Sequence, residues 1–260
     1  VVYDRSIRMI GGCTEDTFRN VYKYTPSGGW VSMNSISSSC PGVINPSISS
    51  YKSMIRVVGG VNTSGERVTT HITYTSSSGW ENGEPIPEDA LCDSSSGLTL
   101  ISDKMWLTGY RAYYLNSDNK WVDYQGLNYP INGGKIIPFD GITGEILCLL
   151  SGSKITPIGN FDEFNMELDL PCDVTNATIT KDKNGDIHIV SDEGIKNVHY
   201  HFKRSIDSDN LVKYELSENK EQIPVYMTNV SSVYYNNQLH VVGHREYGYS
   251  HYVLIDGNWE

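Results

Sequence analysis

The chain has 260 residues, 38% of them hydrophobic, enough to bury a core at a length that suits one closed all-β domain. Net charge is −11 and the 20 Lys and Arg are scattered, which excludes nucleic acid as the expected partner, because a duplex binder needs a clustered basic stripe to release counterions. No apolar run approaches the roughly 18–20 residues of a membrane-spanning helix, and none reads as a signal peptide, so no membrane insertion is expected.

Gly, Ser, Thr, Asn and Tyr are abundant, a composition that suits many short strands and turns. Apolar segments recur at Ile7, Ile55, Met105, Ile146, Ile187 and Leu239, at spacings of 48, 50, 41, 41 and 52 residues. A repeat of ~40–50 residues is the period of propeller blades. Each unit has the same internal order. The first unit begins with Val1-Val2-Tyr3 and a tight turn at Asp4-Arg5. The second repeats this with Ser47–Tyr51 and Lys52-Ser53, and the last with Ser232–Tyr235 and Asn236-Asn237. Such turns favour residues that tolerate positive φ. The apolar segment follows as a second strand. A third strand carries tyrosines (Tyr22 and Tyr24, Tyr74, Tyr113 and Tyr114, Tyr252), and a fourth carries Trp30, Trp80, Trp121 or Trp259. The fold class expected is all-β: a single six-bladed β-propeller of four-stranded antiparallel blades over residues 1–260, with blades near 1–36, 47–82, 97–125, 135–167, 176–216 and 231–260.

An apolar strand ending in Gly-Gly, then a strand ending in Tyr, then Trp six residues later, resembles the kelch motif. Gly11-Gly12 with Tyr24 and Trp30, and Gly59-Gly60 with Tyr74 and Trp80, carry the resemblance best. Blades 4 and 5 depart from it. Blade 4 has no Trp, with Phe161 or Phe164 in its place, and blade 5 is Trp-free with a longer polar segment at 204–210. The resemblance implies a loop-rich face that binds a partner. It covers both intracellular kelch adaptors, which recruit a target to a larger assembly, and the kelch-like repeats of phage virions and bacterial surface proteins. The Asn-rich turns lean toward the second, and so toward a virion or extracellular surface over the cytoplasm.

Two classes of connection differ in length. Those between strands 1 and 2, and between 3 and 4, are short. Those between strands 2 and 3, and from blade to blade, are long, so one face carries most of the loop length, the usual place for recognition on a rigid scaffold. The blade-to-blade loops are acidic, with Glu84, Glu88 and Asp89 in one of them. The loops after strand 2 carry Arg19, Arg67, Arg111 and Arg245 with Tyr110, Tyr247 and Tyr249. Of these, Arg67, Arg111, Arg245, Tyr110 and Tyr247 are the candidate partner contacts, since Arg and Tyr are favoured in binding hot spots.

Other clusters point more weakly to chemistry. His199 and His201 share one face of a strand, and His240 and His244 do the same, but neither pair has a convergent carboxylate or thiolate nearby in sequence. The five cysteines have no metal-ligand spacing and read as free thiols. The run Lys181–Asp186 alternates Asp and Asn but lacks the distal Glu of a calcium loop and reads as a hairpin turn. Sequons stand at Asn62, Asn176 and Asn229. No phosphate loop, dinucleotide fingerprint or nucleophile elbow occurs. The expectation is therefore a non-enzymatic module with no cofactor or metal and a protein partner. The alternatives are a glycan-binding lectin, in which tryptophans stack on sugars, or a sugar-active enzyme on a propeller platform.

Overall fold

The structure, a computed structural model, describes residues 1–11, 19–44, 46–90, 97–101, 104–109, 111–124, 135–141, 144–157, 168–172, 177–209, 211–217, 221–246 and 248–260. The fold is an all-β, six-bladed β-propeller. In each blade four antiparallel strands lie side by side in chain order. The chain divides into two compact units, Val1–Pro138 and Phe139–Glu260.

In the first unit, blade 1 comprises Val2–Tyr3, Ser6–Ile10, Val21–Thr25 and Gly29–Ser32. Blade 2 comprises Ser47–Tyr51, Met54–Val58, His71–Thr75 and Gly79–Asn82. Blade 3 comprises Gly97–Ile101, Lys104–Thr108, Ala112–Leu115 and Trp121–Asp123. The second strands are apolar along most of their length because both of their faces are covered; Ile55, Val57, Val58, Met105 and Leu107 are all buried. The spacing of six between Tyr and Trp is a register fact. Tyr24 pairs with Trp30 and Tyr74 with Trp80 across a hairpin, with ring centroids 5.3 and 4.9 Å apart.

The tight turns have positive φ at both central residues: 47° and 52° at Asp4-Arg5, 50° and 56° at Lys52-Ser53, and 51° and 63° at Asn236-Asn237. This is the hairpin geometry whose twist matches the flanking strands. Glycine is required at the end of the second strand in blade 2. Gly60 has φ +86°, and a Cβ there would lie 2.5 Å from the Ile44 carbonyl oxygen.

The loops leaving blades 1 and 2 repeat one another. Ile36 and Cys40 in the first, and Ile86 and Ala90 in the second, are buried anchors, while Ser38-Ser39 and Glu88-Asp89 between them are exposed. Ile36 and Cys40 join a core with Val43, Ile55, Val57 and Ile72, and Ile86 and Ala90 pack with Val58, Leu107 and Tyr113.

In the second unit, blade 4 runs Lys135–Asp140, Glu145–Ser151, Lys154–Pro157 and Leu168–Asp169, its first strand starting just before the division. The long connection expected between second and third strands is found in blades 1 and 2 (Ile10 to Val21 and Val58 to His71). In blade 4 a two-residue turn, Gly152-Ser153, joins them, and in blades 3, 5 and 6 only three, four and two residues separate them. Phe161 and Phe164 lie outside the described residues. Blade 5 runs Ala177–Lys181, Ile187–Asp192, Asn197–Ile206 and Val212–Leu216. The polar segment at 204–210 begins as strand, Arg204 to Ile206 ending the third strand, and Asp207 to Asp209 then turn toward the fourth. The ten-residue third strand pairs with Val212–Leu216 along its far half, and with Glu221–Gln222 at Val198 and His199. Blade 6 runs Thr228–Tyr235, Gln238–Arg245, Gly248–Ile255 and Asn258–Trp259. Cys40 and Cys148 are buried free thiols and Cys172 is half-buried; burial pushes the Cys148 thiol up to about 12. Among the described residues no helix is long and apolar enough to cross a membrane.

Candidate functional site: a polar cleft in the first unit

The loops of blades 1 and 2 enclose an open cleft of about 1280 Å³. Thr69, Thr70 and His71, at the start of the third strand of blade 2, line it. Ser38, Ser39, Cys40 and Pro41 come from the loop after blade 1, and Asn82, Pro85, Glu88 and Asp89 from the loop after blade 2. Arg19 and Arg67 complete the lining.

The third strand fixes His71 at the cleft. Arg56, buried one strand away, donates from Nη1 to His71 Nε2 (3.0 Å) and from Nη2 to Asn119 Oδ1 of blade 3 (3.0 Å). His71 Nε2 therefore accepts, and its Nδ1–H donates to the Glu84 carbonyl (2.8 Å). Both ring nitrogens are committed. Burial, with the nearby Arg56 charge adding to it, pushes the His71 pKa down to about 4, although the Glu84 hydrogen bond opposes the shift. A neutral imidazole thus adds no charge to the cleft near neutral pH.

The charged side chains around the cleft are partly occupied. Arg19 donates from Nη1 to the Ser37 carbonyl. Asp89 accepts from the Tyr113 hydroxyl, whose pKa is pushed up by burial and by that carboxylate, and Asp89 lies 3.6 Å from Arg111 Nε. Arg111 also pairs with Asp123 at 3.0 Å. Arg111 thus connects the cleft wall to the last strand of blade 3.

Of the five contacts expected from sequence, Arg67 lines the cleft and is exposed. Arg111 stands behind Asp89 with 59% of its side chain exposed. Arg245 belongs to the second unit, where it is exposed and its Nη1 lies 3.5 Å from Ser250 Oγ. Tyr110 and Tyr247 lie outside the described residues. Arg19, one of the loop arginines read from sequence but not among the five, also lines the cleft, and the sequence reading missed Ser38-Ser39 and Thr69-Thr70. The loop repeat, visible once the two buried anchors are aligned, points to Ser38-Ser39.

The histidines of the second unit form buried polar joints. With Glu221 ionised, His199 Nδ1–H donates to Glu221 Oε2 (3.2 Å), and His199 Nε2 accepts from His188 Nδ1–H (2.9 Å). That leaves the buried His188 Nε2 without a hydrogen bond, 4.0 Å from Asp182 Oδ2. His201 Nε2 donates to Asp186 Oδ2 (3.0 Å), and its ring stacks on His188 at 4.5 Å. Burial first, then the neighbouring imidazoles, lower the pKa of His188 to about 4 and of His199 to about 3. In blade 6, His240 partners His251 (3.0 Å), while the His244 ring packs on Tyr249. Among the described residues no three His, Cys, Asp or Glu side chains converge in a way that could hold a metal ion.

No protein-family model matches the chain, and no curated protein matches its sequence. Solved structures are similar in fold. YjhT aligns with a TM-score of 0.62 at 10% identity, over 100% of this chain and 97% of that one. Virginiamycin B lyase from Staphylococcus aureus aligns with a TM-score of 0.52 at 15% identity, over 100% and 81%. A catalytically inactive variant of that lyase with quinupristin aligns with a TM-score of 0.51 at 13% identity, over 100% and 85%. At these identities the likeness is one of fold alone.

Proposed function

We propose that the chain is a kelch-like recognition module that binds a protein partner at the loop cleft of its first unit. The observation that carries this reading is the construction of the cleft. Loops of two successive blades, each pinned by buried anchors, hold exposed Arg67, Glu88, Ser38 and Ser39 around an open groove, and Arg111 braces its wall. Preorganised loops on a rigid sheet scaffold bind with little ordering cost. The Tyr–Trp register of blades 1 and 2, and the positive-φ Gly59-Gly60 pair, support the kelch-like assignment.

Pull-down mass spectrometry with the wild-type chain beside an R67A/R111A/R245A variant, run in parallel with a glycan array, tests the reading. The expected result is a protein retained by the wild type and lost by the folded variant. Glycan signal without a protein partner would replace the reading with a lectin, and a partner held equally by both chains would move the contact surface away from these arginines.

A further inference from the structure

The charges of the cleft are unevenly matched. Arg19 is tied to a backbone carbonyl, Asp89 to Tyr113 and Arg111, and His71 to Arg56 and the Glu84 carbonyl. Glu88 stands apart. It is exposed where the Glu88–Ala90 turn begins, it lines the cleft, and it makes no hydrogen bond or ion pair with any described residue. The hydroxyls of Thr69 and Thr70, and of Ser38 in the blade 1 loop, are also without intramolecular partners among the described residues. Val68, Pro41 and Pro85 add apolar surface, and the volume of about 1280 Å³ exceeds what one side chain or a small ion fills.

A carboxylate covered by an incoming partner loses water and must be compensated by a cation. The long-range field points the same way, because a chain of net charge −11 steers basic partners toward itself and slows acidic ones. We propose that this cleft seats an extended segment of a partner protein carrying one Lys or Arg directed at Glu88, with Ser38, Thr69 and Thr70 bonding its backbone. This deepens the recognition reading above and rests on it.

The test is affinity selection of a positional-scanning library of short synthetic peptides on the full chain, with E88Q as the variant and E81Q as the charge-matched control. Glu81 is exposed but does not line the cleft. Thermal melting confirms that each variant is folded. The wild type and E81Q select Lys or Arg at one position, while E88Q binds the selected peptide about five- to tenfold more weakly and loses that preference. Selected peptides without a basic residue, or equal behaviour of E88Q and E81Q, overturn the proposal. If E88Q behaves as wild type while the arginine variant still loses its captured protein, the basic-segment proposal falls and the recognition reading stands. If neither substitution matters, both fall.

Discussion

Trp259, on the last strand of blade 6, meets the ring of His199, on the third strand of blade 5, edge-on, with centroids 5.6 Å apart and planes at 88°. In the first unit Trp121 of blade 3 lies against His71 of blade 2 at 5.7 Å. The fourth-strand Trp of one blade therefore covers the buried polar pair of the blade before it. Those pairs share a register. Arg56 with His71, His188 with His199, and His240 with His251 are each diagonal neighbours across the second and third strands, two residues off the direct partner.

Removing the cover uncouples the joint. Trp259→Ala is expected to cost about 2–4 kcal/mol in urea unfolding, through lost burial and the cavity left behind. Trp259→Phe is expected to cost far less, about 1 kcal/mol, because Trp259 Nε1 makes no hydrogen bond among the described residues and so none is lost. Equal losses for the two variants would place the role of Trp259 in its N–H instead.

The buried and half-buried histidines make stability depend on pH. His71, His188 and His251 have pKa values lowered to about 4, and His199 to about 3, in each case chiefly by burial. Between these values and the unfolded value of about 6.5, the unfolded chain binds more protons than the folded one, so stability rises with pH. It is full above about pH 6.5 and is lost as pH falls toward 4. For the buried His71 alone the loss is on the order of 3 kcal/mol. Guanidinium midpoints measured from pH 7.5 down to pH 4 (about one point per half unit) are expected to fall steeply, and H71N to reduce the slope. A flat profile would contradict the buried, neutral assignment.

Lys181 links blade 5 to blade 4. Its Nζ donates to Asp140 Oδ1 (2.6 Å) and to Glu145 Oε1 (2.9 Å). These two carboxylates raise its pKa against the opposing effect of burial. The pairs are partly solvated, so Lys181→Met is expected to cost only about 1 kcal/mol, with a coupling of similar size to Asp140→Asn in a double-mutant cycle. Additive single effects would show that the contact is energetically idle.

Gly60→Ala tests the close approach in blade 2. The left-handed backbone and the Ile44 carbonyl oxygen, 2.5 Å from the added Cβ, oppose it together. A loss of about 2 kcal/mol or more is expected in thermal or urea unfolding. A neutral effect would mean that the loop at Ile44 yields.

Fold was more legible than site for physical reasons. The Tyr74–Trp80 spacing, the apolar run at Ile55 and the paired Asn at 236 and 237 are local signals, each fixed by one hairpin. Blade 4 was harder to read, because its second and third strands meet through the two-residue turn at Gly152-Ser153, while the long connection expected there occurs in blades 1 and 2 alone. The second outer partner of blade 5, Glu221–Gln222, was hidden because two residues carry no periodicity. The cleft joins Arg19 to Asp89 across seventy positions of chain, a non-local fact that spacing cannot express. Polar residues at matching second-strand positions, Arg8, Arg56, His188 and His240, were in plain view. Sequence alone could not tell whether they were exposed ligands or buried joints.

The most direct test of the recognition account is hydrogen–deuterium exchange on the chain alone and with its captured partner. The account predicts new protection in residues 66–71 and 82–90, around the cleft. A second cavity in the same unit, about 700 Å³ and lined by Tyr3, Asp4, Tyr51, Lys52 and Ser53, sits at the tight-turn ends of the strands. Protection confined to those turns, with residues 66–71 and 82–90 unchanged, would contradict the account.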